Sequence, residues 1–263
     1  MSTTQQEHDW RIEAVAKLES DLPPAYPGGP SFARGSNVFM SSTVGTSNGG
    51  SIGFAAPNMT AMALNLAINA AREASAIRST IAFKGVPSPE GICQMISLEG
   101  SAAAFSMFEQ SLSAITFSFL ALEAYCNYVI SRNWKKPIKI KGRKGRPEVL
   151  SPIEAERVLS TEVKIKSVLP EIFDVPTPAG KAIWGRFIEL KKVRDDSVHI
   201  KYSDQYPLGA TEKEGIFFQI FNGDPHTYPE TAIEIIQYFY KTAQRPQWLE
   251  RVPPVRVKSQ DAE

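Results

Sequence analysis

Apolar side chains recur at helical spacing in separate blocks of the chain, and the spacing fails between them. Over 9–22 (DWRIEAVAKLESDL), Trp10, Val15, Leu18 and Leu22 predict a short amphipathic helix. Residues 23–58 change character. Gly, Ser, Pro and Asn dominate, with isolated aromatics, which predicts an irregular, flexible arm. Residues 59–80 are rich in Ala and Leu and predict a helix. Gly85, Pro87, Pro89 and Gly91 break up 81–99. From Ser101 to Asn133 runs the strongest helical signal in the chain, and Trp134 to Pro147 reads as a basic loop. Ser151-Pro152 opens another helix, with Ser at the N-cap, Pro at the first helical position and Glu154 placed for a capping box. Pro170 fits poorly inside that helix, and DVPTPAG is a loop.

Helical spacing resumes over 180–199, with Ile183, Phe187 and Leu190 along one side, joined by Val193 and Val198. HIKYSD and GIFFQIF predict two short strands, a small β-hairpin after that helix. NGDPHTYPE reads as a turn, and Thr231 to Ala243 as a closing helix with Ile233, Ile236, Phe239 and Tyr240 inward. The expectation is a mainly α protein in three parts. Residues 1–58 form a helix and a flexible arm, 59–250 a helical domain, and 251–263 a loose tail.

Composition narrows the function classes. A chain of 263 residues with 43% apolar content builds a sizeable core. A net charge of +1 argues against nucleic-acid binding by the whole surface and leaves local basic patches open. Cys93 and Cys126 lie in apolar runs and read as buried free thiols in a reducing compartment. There is no C-x-x-C pair, and three scattered histidines do not make a zinc-ligand cluster, so neither metal nor cofactor is expected. GTSNGGSIG has the composition of a phosphate loop but lacks G-x-x-x-x-G-K-[ST]. The polar start MSTTQQEHDW does not read as a secretory signal. Glu109 and Glu123 leave thirteen uncharged residues between them, short of the ~18 of a spanning helix. The segment therefore reads as a buried helix of a cytoplasmic protein.

The candidate chemistry lies in VRDDSVHI, residues 193–200. Asp195 stands four residues after Lys191 and four before His199, so it shares a helix face with each. A carboxylate one turn before an imidazole can orient it and favour its protonated form. Arg194 and His199 are five apart, roughly 140° around a helix. One helix therefore aims them to two sides of a groove, and they converge on one ligand only if the helix end bends or a second copy contributes. The bland reading is a solvated helix end whose His complements the dipole.

LKKVRDDSVHIK resembles the motif of the HEPN superfamily, helical bundles that carry Arg, a polar residue and, a few positions on, His. The matching residues are Arg194, Asp195 and His199. FLALEAYCNYVISRNW resembles the family's earlier core helix, with Glu123 and Asn127 at its acidic and Asn positions, and ETAIEIIQYFYKTA resembles its closing helix. The resemblance covers roughly residues 101–245. It implies a homodimer that brings two Arg/His pairs to one cleft and metal-independent cleavage of RNA. His199 would take the proton of a ribose 2′-hydroxyl, and Arg194 would hold the phosphate. Asp195 would position the base, with Glu123 and Asn127 facing the same cleft. It further implies a bacterial stress, toxin–antitoxin or anti-phage setting, with a cognate antitoxin or defence-system protein as partner. Asp195 stands where Asn is more usual, with Asp196 beside it. Two carboxylates repel a phosphate backbone, which favours the alternative of an inactive dimerisation or interaction module.

A second candidate is the basic segment. Eight Lys or Arg and no acid fall between Arg132 and Arg146. Lys135, Lys136, Lys139, Lys141, Arg143, Lys144 and Arg146 read as a footing for RNA or DNA phosphates, or as a solvated loop. Its RKGRP core is similar to an AT-hook, which gives the third reading of a DNA-binding accessory protein.

Overall fold

The computed structural model describes residues 9–89, 91–134, 136–141, 147–200, 215–240 and 245–256. The fold is mainly α, with eight helices and four two-stranded antiparallel sheets among the described residues. The chain forms two compact units: residues up to Met62 with Arg245–Val252, and Ala63–Gln244 with the chain from Pro253 on.

In the first unit the expected helix over 9–22 is absent. Strand β1 (Ala14–Lys17) pairs instead with β2 (Asn37–Phe39). An isolated helix of that length is marginal in water, and sheet pairing supplies the backbone bonds. The expected irregular arm also contains a regular hairpin, β3 (Ser41–Gly45) with β4 (Ser51–Ala55). Its turn is closed by Thr46 N–H to the Gly50 carbonyl and by Gly49 at φ +81°, a conformation glycine allows. Asn58 is the keystone. Its Oδ1 accepts from Ala61 N–H and caps helix α1 (Met59–Arg78). Its Nδ2 donates to the buried Glu13 carboxylate at 2.7 Å. The short helix Gln247–Glu250 belongs to this unit and buries Trp248 and Leu249; nothing in the spacing announced it.

The second unit is built on α2 (Ser101–Asn133). Its buried face runs from Ala104 through Phe119 and Leu122 to Ile130. Against it pack α3 (Pro152–Val158), α4 (residues 161–173), α5 (Ala182–Val198), α6 (Ile216–Asn222) and α7 (Thr227–Tyr238). By length and composition α2 could also cross a membrane, yet more than half of its most apolar window is buried in the protein. Phe119 stacks on the buried Phe187 of α5, and Tyr125 and Phe173 meet Phe239. Arg186 of α5 pairs with Glu234 of α7.

The capping box of α3 forms as expected. Ser151 Oγ accepts from Glu154 N–H, and the Glu154 carboxylate accepts from Ser151 N–H at 2.8 Å. Pro170 does lie inside a helix. α4 passes from an α turn into a π turn (Lys164–Val168), in which Leu169 N–H reaches the Lys164 carbonyl, and then resumes as Leu169–Phe173. Pro170 has no N–H for the carbonyl of Lys166. The Thr177 hydroxyl donates to that oxygen at 2.7 Å instead.

Other expectations are corrected. GIFFQIF is helix α6, not a strand, because Ile216 and Ile220 are buried at helical spacing and Phe217 and Phe221 both meet Phe108 of α2. The hairpin expected after α5 therefore lacks its second strand, and the rest of HIKYSD lies outside the described residues. α7 starts at Thr227, inside the expected turn. Residues 253–256 are held in place: Arg72 donates to the carbonyls of Pro254 and Val255, and Arg256 pairs with Asp224 and Glu230. Asp224 also takes His226 Nδ1 at 2.9 Å. Broken 81–99 contains a hairpin, β5 (Phe83–Ser88) with β6 (Gly91–Ile96), which leaves Cys93 exposed; only Cys126 is buried.

Removing the Ser151 hydroxyl deletes one half of the capping box. Ser151→Ala should cost about 1 kcal/mol and lower the melting temperature by roughly 2–4 °C, read by thermal denaturation against the parent chain.

Candidate functional site

The two halves of the predicted site lie on packed helices. Phe119, Glu123 and Asn127 follow one another at four-residue spacing along α2, which puts them on one face. α5 delivers Arg194 to the first of them. Its guanidinium carbon lies 4.0 Å from the centroid of the Phe119 ring. That geometry is a cation–π contact on the side of a buried aromatic pair. Phe119 was not among the expected site residues, and its role shows only when α5 lies across α2.

Asp195 turns to cations rather than to His199. Arg194 Nη1 lies 2.8 Å from Asp195 Oδ1, and Lys191 Nζ lies 3.6 Å from Oδ2. Lys191 also reaches Glu162 of α4 at 3.5 Å. Asp196 accepts from the Gln219 amide on α6 at 3.3 Å. The expectation that Asp195 orients the imidazole is not met. His199 is the C-cap of α5; its backbone N–H donates to the Asp195 carbonyl. Its ring is exposed and makes no hydrogen bond among the described residues. The carboxylate has two cations within reach on its own helix, and these engage it instead.

Asn127 is engaged elsewhere. Lys164, from the π turn of α4, donates to Asn127 Oδ1 at 2.6 Å and to the Glu156 carbonyl at 2.7 Å. Lys164 is buried although it carries an ammonium group. Burial pushes its pKa below the ordinary lysine value, against the opposing influence of Cys126, Glu123 and Glu156. Beside it the Cys126 thiol is pushed up to about 12 by burial, so it stays protonated and is no nucleophile at neutral pH. Lys164 was also missed by sequence reasoning. The only signal was a lysine inside the apolar run V-K-I-K-S-V-L.

The basic segment is not a plain loop. Ile138–Lys141 pairs with Pro147–Leu150 as β7 and β8, placing Lys139 opposite Val149 and Lys141 opposite Pro147. The alternation I-K-I-K has the period of a strand. Lys136 is exposed; Lys135, Arg143, Lys144 and Arg146 lie outside the described residues. Among the described residues no three His, Cys, Asp or Glu side chains gather as a metal site would need. Comparison with protein-family models, curated proteins and solved structures finds no match to the chain.

Lys164 supplies a measurable signature. The unfolded chain holds this proton more tightly than the folded one. Between the lowered pKa and the ~10.4 of an unfolded lysine, the group therefore makes stability rise with pH. Lys164→Met should remove that slope in denaturant melts across the alkaline range. At neutral pH it should destabilise by about 1–3 kcal/mol, because the Glu156 carbonyl and the Asn127 oxygen lose their donor.

Proposed function

We propose that the chain is a HEPN-like, metal-independent endoribonuclease that works as a homodimer, in the bacterial stress or defence setting its sequence resemblance implies. One observation carries the reading. The E-x-x-x-N helix and the R-D-x-x-x-H helix pack directly on each other, with Arg194 on Phe119 and the His199 ring exposed at the helix end. In this reading His199 takes the proton from a ribose 2′-hydroxyl and the freed oxygen attacks the adjacent phosphorus. The bond from phosphorus to the 5′ oxygen breaks, and that oxygen is protonated as it leaves. Arg194 carries the charge growing on the phosphate. The basic segment guides the RNA backbone.

A second reading has its own observation. Asp195 occupies the Arg194 guanidinium, and Lys164 occupies Asn127. Both are what an interaction module without catalysis would keep. The two readings separate on RNA. For the nuclease, His199→Ala and Arg194→Ala should each lower cleavage by about 10²–10⁴-fold while the melting temperature barely moves. Cleavage should persist in EDTA and leave a 2′,3′-cyclic phosphate and a 5′-hydroxyl. Full activity in His199→Ala, or dependence on metal, removes the nuclease reading.

Binding gives a further check. Changing Lys139, Lys141, Arg143 and Lys144 to Ala should flatten the salt dependence of RNA affinity. The log–log slope should fall by about 0.7 for each phosphate of a single strand that these side chains neutralise. An unchanged slope, measured by fluorescence anisotropy across a salt series, takes the segment out of the binding surface.

A further inference from the structure

The β5–β6 hairpin has one guarded edge and one open edge. Ser88 pairs with Gly91, so the strands exchange backbone bonds at 88/91, 86/93 and 84/95. The backbone groups of the alternate pairs 87/92, 85/94 and 83/96 therefore point away from the hairpin. On the β5 side Pro87 falls at such a position and has no N–H to offer, which blunts that edge. On the β6 side Ile92, Gln94 and Ile96 present their N–H and C=O groups in a row. The strand GICQMI carries no charge and no proline. Among the described residues each sheet has two strands only, so no third strand of these covers the edge.

The side chains are as open as the edge. Phe83 is 53% exposed, Ile92 76%, Met95 52%, Leu98 92% and, one turn into α2, Phe105 63%. At roughly 150–200 Å² for a fully exposed large side chain, this stretch presents on the order of 500–650 Å² of apolar surface. Met95 lies on the face opposite Phe83 and Ile92, so this surface is divided between the two faces of the hairpin; a stable interface takes about 800 Å² from each partner. A lone two-stranded hairpin is marginal in water, while more strands sharing an apolar face are stable.

We propose that β6 pairs with β6 of a second copy of this chain, about a two-fold axis at Gln94. Antiparallel pairing then sets Gln94 against its own copy and Ile92 against the partner's Ile96. Every outward N–H and C=O of the strand is used, and the order becomes β5–β6–β6–β5. The two-fold keeps Phe83, Ile92 and Ile96 of both copies on one face of the new sheet, since they share a face within the hairpin. A second copy is the fitting occupant because the edge is uncharged and its outward groups are symmetric about Gln94. An isologous contact returns the same surface to itself. This edge lies apart from Arg194 and His199 in sequence, and the inference does not rest on the RNA reading.

Two variants test it. Paired Gln94 residues would stand about 5.5 Å apart at Cα, within the ~4.4–6.8 Å a disulfide spans. In a Cys93→Ser background, Gln94→Cys should form a disulfide-linked dimer under mild oxidation at micromolar concentration, while the Cys93→Ser parent does not, its remaining Cys126 being buried. Gln94→Pro removes one outward N–H without touching the bonds between β5 and β6, and should halve the mass seen by light scattering. Absence of the cross-linked dimer, or a mass unchanged by Gln94→Pro, overturns the pairing whatever becomes of RNA cleavage. A cross-linked Gln94→Cys dimer supports the pairing even where RNA cleavage stays full in His199→Ala, the outcome that removes the nuclease reading alone.

Discussion

Helix α2 has a buried face too wide for any one neighbour to cover, and the second unit is organised around that need. The helix is about 50 Å long at 1.5 Å per residue, and its buried positions recur from Ala104 to Ile130. Residues such as Ala114, Ile115, Leu122 and Val129 are wholly out of solvent. α7, α4 and α5 cover most of it, and α3 and α6 take the remainder. The sequence between these helices is subordinate to that requirement. GIFFQIF becomes a helix because its phenylalanines reach Phe108, and α4 tolerates a π turn and Pro170 because Ile165, Val168 and Leu169 must stay buried.

The same helix decides where two cations rest. Arg194 lands on Phe119 and Lys164 on Asn127, with Glu123 between them on one ladder of α2. They are not equivalent. Lys164 is buried and doubly hydrogen-bonded, a state in which removing the partner costs more than the contact itself contributes. Arg194 is only part-buried, sits over an aromatic ring and has one nitrogen on Asp195, and its planar fork suits carboxylate or phosphate acceptors. The ladder therefore has a structural end and an end that can meet a ligand.

The helices of the second unit were legible where local signals and burial agree. α1, α2 and α5 carry long apolar patterns, and α3 has a capping box written in four residues. What misled were segments whose state is set by distant partners. Ala14–Lys17 has helix-forming residues but pairs with Asn37–Phe39, and the Gly-rich 41–55 region becomes a hairpin through pairings no local window contains. The site was half legible. Residue type and spacing pointed to Arg194, Asp195 and His199, and the family resemblance pointed to Glu123 and Asn127. Phe119 and Lys164 are ordinary residues in the sequence and matter only through contacts across helices. The pairing of Asp195 with Arg194 and Lys191 rather than His199 is a competition among neighbours that spacing alone does not rank.

That competition bears on what any phosphate must do here. Lys191 and Arg194 bring two positive charges to the end of α5, and Asp195 and Glu162 bring two negative ones within 4 Å of them. The quartet is neutral, and Asp196 adds another carboxylate beside it. A phosphate approaching Arg194 therefore meets no net attraction from this cluster, and a contact through Nη1 requires it to displace the Asp195 carboxylate. Exposed ion pairs of this kind are worth little, roughly 0–1 kcal/mol, so the exchange costs little for a ligand that brings other contacts. Long-range steering must then come from elsewhere on the chain, and the run between Arg132 and Arg146 is the stretch whose charge is unopposed in sequence. Under the proposed RNA reading, recognition at Arg194 and attraction by the basic segment would thus be separable steps, one read in displacement at close range and the other in salt dependence.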